Sequence, residues 1–459
     1  MRSRVDTKHL VQWLITLGVA TLVYILVPRS EIITESIVRF LAITLCGVFA
    51  WMFELIPAFV VGLLMSVGYI LFKVADGPTV FAAWNNQIIW LCMSGLMVGV
   101  AFEKTGLLKR ISYTCIRRAG YSFKGIVIGL ICAGIIISAL LPNLSARVVL
   151  FTFLGVGICS AMNLEKGSSA GAGVMLASYM AAVSSRYLLP SSNDETVLAS
   201  SLMTDPVSIP LHLKANLLPT LIWVAIMIGL ILVLFKPKEH IDCKAYIDAE
   251  YEKMGKISAP ELKFMVLLLV ALIAVFTNKI GIGWCFLLLS CILFVPGISI
   301  LDNKDMAKVN LPMVIFVATA MTIGNVTNAL GLGAIVSNAC VTYLNGAQLS
   351  AFVFYPVCWL FGVIVTMLMT PLAAVASFTV PLEGVASAAG LGINGAIYAF
   401  CMGVEQIIFP YEWAAALFVF SFGYISSKQF LKWGAIRMGL CLIFLIAILI
   451  PIWSMTGFI

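Results

Sequence analysis

Charged side chains are scarce in this sequence: Asp, Glu, Lys and Arg together make up 11% of its 459 residues, against about 25% in an ordinary soluble domain. Hydrophobic residues fill 62% of positions, so the chain has too little polar surface to cover itself in water. Histidine occurs three times, at His9, His212 and His240, each outside an apolar block or near its end; a histidine proton relay through the core is not expected. No H-E-x-x-H motif offers a zinc site, and the twelve cysteines stand singly, without a C-x-x-C pair, as small buried hydrophobes. No cofactor and no enzymatic activity are expected. The net charge of +7 comes from Lys and Arg in the segments between apolar blocks, where membrane topology accounts for them, so no nucleic-acid partner is expected either.

What the sequence has instead is long apolar runs. A hydrocarbon core of about 30 Å takes about 20 helical residues to cross. The cleaner candidates are Leu10–Val27, Ser36–Phe53, Pro57–Phe72, Ile88–Phe102, Leu217–Phe235, Phe264–Thr277, Ile282–Val295, Val314–Leu330 and Met438–Trp453. The first follows Arg2, Arg4 and Lys8 as a signal peptide would, but no small-residue cleavage site precedes Pro28, Glu31 and Glu35; it is expected to stay as a helix.

Lys and Arg collect in two stretches, Lys104 to Lys124 and Lys236 to Lys263, which should both be cytoplasmic together with the N-terminus. The chain also repeats itself. Phe102-Glu-Lys-Thr-Gly106-Leu107 returns as Thr327-Asn-Ala-Leu-Gly331-Leu332, an offset of 225, while Pro142 and Pro371, and Gly155 and Gly384, share an offset of 229. Six basic residues mark the amphipathic stretch of the first copy, whereas its counterpart, Leu330 to Leu349, has no charge. One should face the cytoplasm and the other the outside, the mark of inverted-topology repeats with a binding site between discontinuous helices. The expected fold is therefore an all-α polytopic membrane protein of about 11 spans plus two re-entrant hairpins. Residues 1–235 form the first repeat, with a hairpin at about 125–162 and a broken span at 170–202. Residues 236–262 form a solvated cytoplasmic linker, and 263–459 the second repeat, with a hairpin at about 351–388 and a broken span at 394–425. This order leaves the C-terminus outside.

The Glu103-Lys-Thr-Gly-Leu-Leu-Lys-Arg110 stretch after a span, the paired hairpin tips, and the breaks at Leu188-Leu-Pro-Ser-Ser-Asn-Asp194 and Ile408-Phe-Pro-Tyr-Glu412 resemble the divalent anion:sodium symporter family over nearly the whole chain. The resemblance implies an elevator-type carrier, usually dimeric, for dicarboxylates, tricarboxylates or sulfate. It also implies Ser-Asn-Thr at each hairpin tip, for substrate and sodium. Here the tips read Pro142-Asn143-Leu144 and Pro371-Leu372-Ala373, so only Asn143 matches. Sodium near Asn143 and Asn193 is what the resemblance would place.

Hairpin tips at the midplane offer helix N-termini and free amides to an anion. Asn143, Ser145, Thr370 and Pro371 are the tip candidates. Arg147 follows the first tip, where a bare arginine costs roughly 2.5 to 3.5 kcal/mol on insertion scales; its partner is either a substrate carboxylate or a permanent one from Asp194 or Glu195. Arg186, Ser191, Ser192, Asn193 and Asp194 make the first break polar, either to replace a substrate's hydration or to satisfy freed backbone. Glu405, Gln406, Tyr411 and Glu412 flank the second break. Glu405 or Glu412 could carry a coupling proton where relatives carry sodium, or neutralise an arginine for good. Trp413 reads as a packing residue. A cation/proton antiporter would put acidic residues in both breaks, whereas Arg147 and Arg186 favour an anionic ligand. The expected function is a secondary transporter of small organic anions in a bacterial inner membrane, coupled to sodium, protons or anion exchange, and working as a homodimer.

Overall fold

The computed structural model describes residues 7–53, 55–141, 144–237, 241–276, 280–332, 335, 349–367, 370–409 and 412–459. The first half opens with α1 (Thr7–Leu26), α2 (Glu35–Met52), α3 (Ala58–Leu71), the short α4 (Gly77–Val80), α5 (Gln87–Thr105) and α6 (Leu107–Ala119). It continues through α7 (Phe123–Leu140), α8 (Leu144–Ala161), α9 (Ser169–Val183), α10 (Asp194–Leu202) and α11 (Ile209–Leu234). After α12 (Lys244–Lys253) come α13 (Ala259–Phe276), α14 (Ile282–Ile292), α15 (Leu311–Ala329), α16 (Ala351–Thr366) and α17 (Pro371–Ala388). The chain closes with α18 (Ile393–Val404), α19 (Ala414–Ser421) and α20 (Ser427–Phe444), which runs through a π turn into α21 (Ile450–Thr456). Among the described residues the only strand-like pairing is one bridge between Ser122 and Asp242. The chain is an all-helical integral membrane protein.

Local chemistry sets the helix starts. Thr34, Ser122, Ser168, Asn193 and Ser426 each accept a backbone N–H of the helix they precede, supplying the acceptor that a first helical turn lacks. Gly106 takes φ +73°, where α5 turns by 68° into α6, and its sequence counterpart Gly331 takes φ +66°. Both positions need the left-handed conformation that glycine adopts without strain.

Among the described residues seven helices are long and apolar enough to cross a membrane, or eight with α5 and α6 counted as one bent span. The expected eleven differ because length alone counts the hairpin arms Phe123–Leu140 and Pro371–Ala388 and misses shorter apolar helices such as Ala58–Leu71 and Ser169–Val183. Helices interrupted by a break are too short for that test. Apolar side chains face outward along α1 (Leu14, Leu17, Leu22) and α13 (Val266, Leu269, Val270), as expected for lipid-facing helices.

The two halves pack alike. The first hairpin, α7 and α8, lies against α9, while α16 and α17 lie against α18. Each broken span then crosses to the other hairpin: α10 packs on α17, and α19 on α8. The polar breaks are thus enclosed by all four hairpin arms.

The segment expected as a solvated linker is docked instead. Ile241 and Ile247 are buried, Tyr121 donates to Asp248 at 2.9 Å, and Arg110 reaches both Glu261 oxygens and the carbonyls of Met254 and Gly255. The apolar positions of α12 are few, and its charges dominate the sequence pattern, which conceals the docking. A second tie joins the end of α5 to the turn before α15, where Lys104 meets Asp305 at 2.6 Å and Asp302 at 3.1 Å. The Lys104 hydrogen bond holds the Asp305 carboxyl below its ordinary range. Its stabilisation is therefore present above the unfolded value of about 3.9 and is lost as pH falls through the lower folded value. Because Lys104 is partly exposed, the effect is expected to stay below about 1 kcal/mol; thermal unfolding of Asp305→Asn against wild type, from neutral to strongly acidic pH, should show a difference that vanishes at the acid end.

Candidate functional site

Glu405 lies at the point where the two breaks meet. It follows α18, whose last turn ends the apolar run, and its carboxylate reaches across to the first break. Oε1 accepts from Asn193 Nδ2 at 2.5 Å and from Tyr187 Oη at 2.9 Å. Oε2 lies 3.3 Å from Arg186 Nη1, which is also 4.0 Å from Glu195. Asn193, Arg186, Glu195 and Glu405 are buried, and Tyr187 is partly buried. The guanidinium of Arg186 stacks over the Trp413 ring at 5.3 Å, so Trp413 is part of the site rather than packing alone.

Arg147 is fully buried in α8. One Nη donates to the Ser192 carbonyl, while Nε and the other Nη have no partner among the described residues. Among the described residues no carboxylate pairs with it, so the permanent partner considered for Arg147 in Asp194 or Glu195 belongs, in the case of Glu195, to Arg186. Asp194 is half-buried at the start of α10. Ser192 donates to the Ser138 carbonyl at 2.8 Å, and Ser138 and Ser185 share a 2.6 Å hydroxyl contact, which fastens the first break to α7. Ser191 is buried beside them. Both ends of the Asn193 amide are engaged, since its oxygen accepts the Glu195 N–H.

The second break is held from α20. Arg437 donates to the carbonyls of Glu405 and Ile407 at 3.0 and 3.3 Å, satisfying carbonyls that the end of α18 leaves free. Glu412 accepts the Ile408 N–H at 2.8 Å and makes no ion pair among the described residues. Gln406 donates to the Met402 carbonyl at 2.7 Å, which fixes its amide, and its oxygen has no partner among the described residues. Thr370 and Pro371 open α17 at the second tip, Pro371 buried and Thr370 half-buried, with no charged neighbour in that tip. Asn143 and Tyr411 lie outside the described residues, as does the Ser145 side chain. A cavity of about 40 Å³ is lined by Ser184, Arg186, Tyr187, Glu405, Gln406 and Arg437.

Sequence reasoning missed Arg437, Tyr187 and His212. Arg437 is an ionisable residue one position before the apolar run Met438–Trp453 and inside the helix that carries it, and that alone marks such a position. His212 corrects the expectation that histidine stays out of the core. It is fully buried in the first turn of α11, with Nε2 3.0 Å from the Tyr187 carbonyl and Nδ1 2.9 Å from Tyr398 Oη. A carbonyl only accepts, so Nε2 carries the proton and Nδ1 accepts from Tyr398. Gly167-Ser-Ser-Ala-Gly171 has the spacing of a nucleophile elbow, but Ser169 opens a helix from a turn and donates to the Lys236 carbonyl; the strand that such an elbow requires is not there.

The family described as the sodium:sulfate symporter transmembrane region matches residues 7–459. The chain belongs to this family. Its members and relatives are transporters. Dicarboxylate transporter 1, chloroplastic, of Arabidopsis thaliana is 23% identical over 338 residues, 71% of this chain and 61% of that protein. The protein of the same name from Spinacia oleracea is 24% identical over 268 residues, 56% of this chain and 47% of the relative. The matches thus span about half to three fifths of these relatives' lengths. Among solved structures, the Alcanivorax borkumensis YdaH transporter superposes with a TM-score of 0.58 at 14% identity, covering 98% of each chain; this likeness supports the fold alone.

Proposed function

We propose that the chain is a secondary active carrier of small organic anions of the dicarboxylate or tricarboxylate type. The observation that carries this reading is Arg147: a buried guanidinium beside a hairpin tip, with two of its three nitrogens unpartnered among the described residues. A guanidinium presents parallel N–H groups that suit a carboxylate, and leaving it bare is costly. Membership of an anion-transporter family and the relatives named as dicarboxylate transporters point the same way. A cation/proton antiporter would need carboxylates free to meet its cation, whereas Glu405 is held by Arg186, Tyr187 and Asn193.

The same reading puts the chain in a bacterial inner membrane, with the basic faces of α6 and the linker cytoplasmic, the N-terminus inside and the C-terminus outside. It makes the chain a homodimer whose two repeats run in inverted topology and whose hairpins and broken spans move together as the elevator. Sodium, protons and an exchanged anion are the candidate coupling species, and the Pro-Asn-Leu and Pro-Leu-Ala tips weaken the case for sodium.

Uptake of labelled succinate, citrate and sulfate into proteoliposomes, each under a sodium gradient, a proton gradient or an internal counter-anion, is the test. Uptake of either carboxylate is the expected result, and the gradient that drives it names the coupling. Sulfate uptake alone, or none of the three, would end the carboxylate reading.

A further inference from the structure

The donor set that holds Glu405 is the one an anionic substrate would need: a guanidinium, a phenol and an amide N–H₂, converging within 2.5 to 3.3 Å of two carboxylate oxygens. Glu405 therefore stands chemically where a substrate carboxylate would stand. Glu405 joins the two halves of the chain there, since Arg186, Tyr187 and Asn193 belong to the first break and Glu405 to the second, beside the stack of Arg186 over Trp413. The cavity beside it is lined by Arg186, Tyr187 and Glu405 as well as Arg437, so a ligand admitted there meets the same donors. The other titratable groups around Glu405 are Glu195 from α10, Tyr179 from α9, Cys401 one turn back on α18, and Arg437 and Cys441 from α20. His212 reaches it only through the Tyr187 carbonyl.

Resting on the carboxylate-carrier reading above, we propose that Glu405 is a tethered counter-anion, which fills the anion site of the empty carrier and yields Arg186, Tyr187 and Asn193 to a substrate carboxylate when it takes up a proton. In the loading step the Glu405 carboxylate accepts one proton and becomes a neutral acid. Its ion pair with Arg186 breaks, and the substrate carboxylate forms that pair in its place. On the far side the substrate leaves, the acid releases its proton there, and the Glu405–Arg186 pair re-forms. One proton crosses with each substrate, and Arg186 is never left without a carboxylate in either direction.

The consequence lies in the return step. A carrier whose buried arginine loses its anion with the substrate faces the cost of a bare buried cation and returns only when loaded, as an obligatory exchanger. With Glu405 in the site the empty form is neutralised and can return, which permits net uptake.

The experiment compares net uptake of labelled succinate into anion-free proteoliposomes with exchange into succinate-loaded ones, for wild type and Glu405→Gln, with and without an inward proton gradient. Wild type is expected to show net uptake that rises with the proton gradient. In Glu405→Gln the ratio of net uptake to exchange should fall at least about tenfold, as expected when a buried charge loses the nearer of its two carboxylates and keeps only Glu195 at 4.0 Å, and what uptake remains should ignore the gradient. A Gln variant with the wild-type ratio would overturn the inference. Should that variant fail to fold, wild type alone decides: net uptake indifferent to the proton gradient, or exchange without net uptake, overturns it. Neither exchange nor net uptake in wild type would instead remove the carrier reading on which the inference rests.

Discussion

Arg147→Ala is expected to lower carboxylate uptake at least about thirtyfold, the equivalent of about 2 kcal/mol, which is the low end for truncating one member of a buried, hydrogen-bonded charge pair. The argument rests on which of its nitrogens are satisfied. One Nη donates to the Ser192 carbonyl, which accounts for a structural role in holding the first break to the tip. Nε and the other Nη have no partner among the described residues, which leaves N–H groups of the cation free for a substrate carboxylate. The roles separate by substitution. A glutamine at 147 keeps one amide donor for the Ser192 carbonyl and loses the cation; it should restore thermal stability relative to alanine without restoring uptake. A lysine keeps the charge as a single point without the planar fork and should give intermediate uptake with a raised KM. Full uptake in the glutamine variant would reduce Arg147 to a structural brace, and wild-type uptake in the alanine variant would remove it from the site altogether.

The sequence made the helices of the hairpins and both breaks legible because each is bounded by a chemical signal: prolines at 142, 190, 371 and 410, and polar runs inside apolar surroundings. Arg186, Asn193 and Glu405 were singled out on those grounds, and the structure brings all three together. Their pairing was not legible. Asp194 and Glu195 are adjacent in sequence, yet helix geometry turns Glu195 towards Arg186 and leaves Asp194 half-buried; a shift of one residue around a helix is about 100°, and no composition argument resolves it. Arg437 escapes a hydropathy reading because the apolar run starts at Met438, one residue past it, while the helix itself starts well before it, at Ser427. His212 was set aside because it lies near the end of a block, although the end of a membrane helix can sit deep inside a protein whose neighbouring helices are broken. The linker helix α12 was misjudged for a related reason, since its docking depends on Ile247 and on partners such as Tyr121 and Arg110 more than a hundred residues away.

Gly134→Ala and Gly362→Ala are each expected to cost more than about 2 kcal/mol of stability, within the range for overpacking a tight interface, and to cut uptake by at least about a hundredfold, as small displacements of a positioned site do. These two glycines make the same contact in the two halves. Gly134 lies on α7, where an added Cβ would sit 2.0 Å from the Ala181 carbonyl oxygen of α9. Gly362 lies on α16, where a Cβ would sit 2.4 Å from the Phe400 carbonyl oxygen of α18. In both, the obstacle is backbone that no rotamer change can move aside. Four residues on, each arm carries a hydroxyl at the break it flanks: Ser138 contacts Ser185 at 2.6 Å, and Thr366 donates to the Val404 carbonyl at 2.8 Å. The spacing is the small-x-x-x-small pattern by which membrane helices approach closely, repeated at an offset of 228. Adding a methyl group would move each hairpin arm away from its broken span by about an ångström or more, and would separate the donors around Arg147 and Glu405 with it. Gly229 and Gly439 are helical glycines with nothing within 4 Å of an added Cβ; alanine there should leave uptake unchanged and slightly raise stability. Thermal unfolding and uptake measured on all four variants decide the matter: if Gly134→Ala behaves like Gly229→Ala, the hairpin and the broken span do not hold each other by this contact, and the close packing of arm on break is not what positions the site.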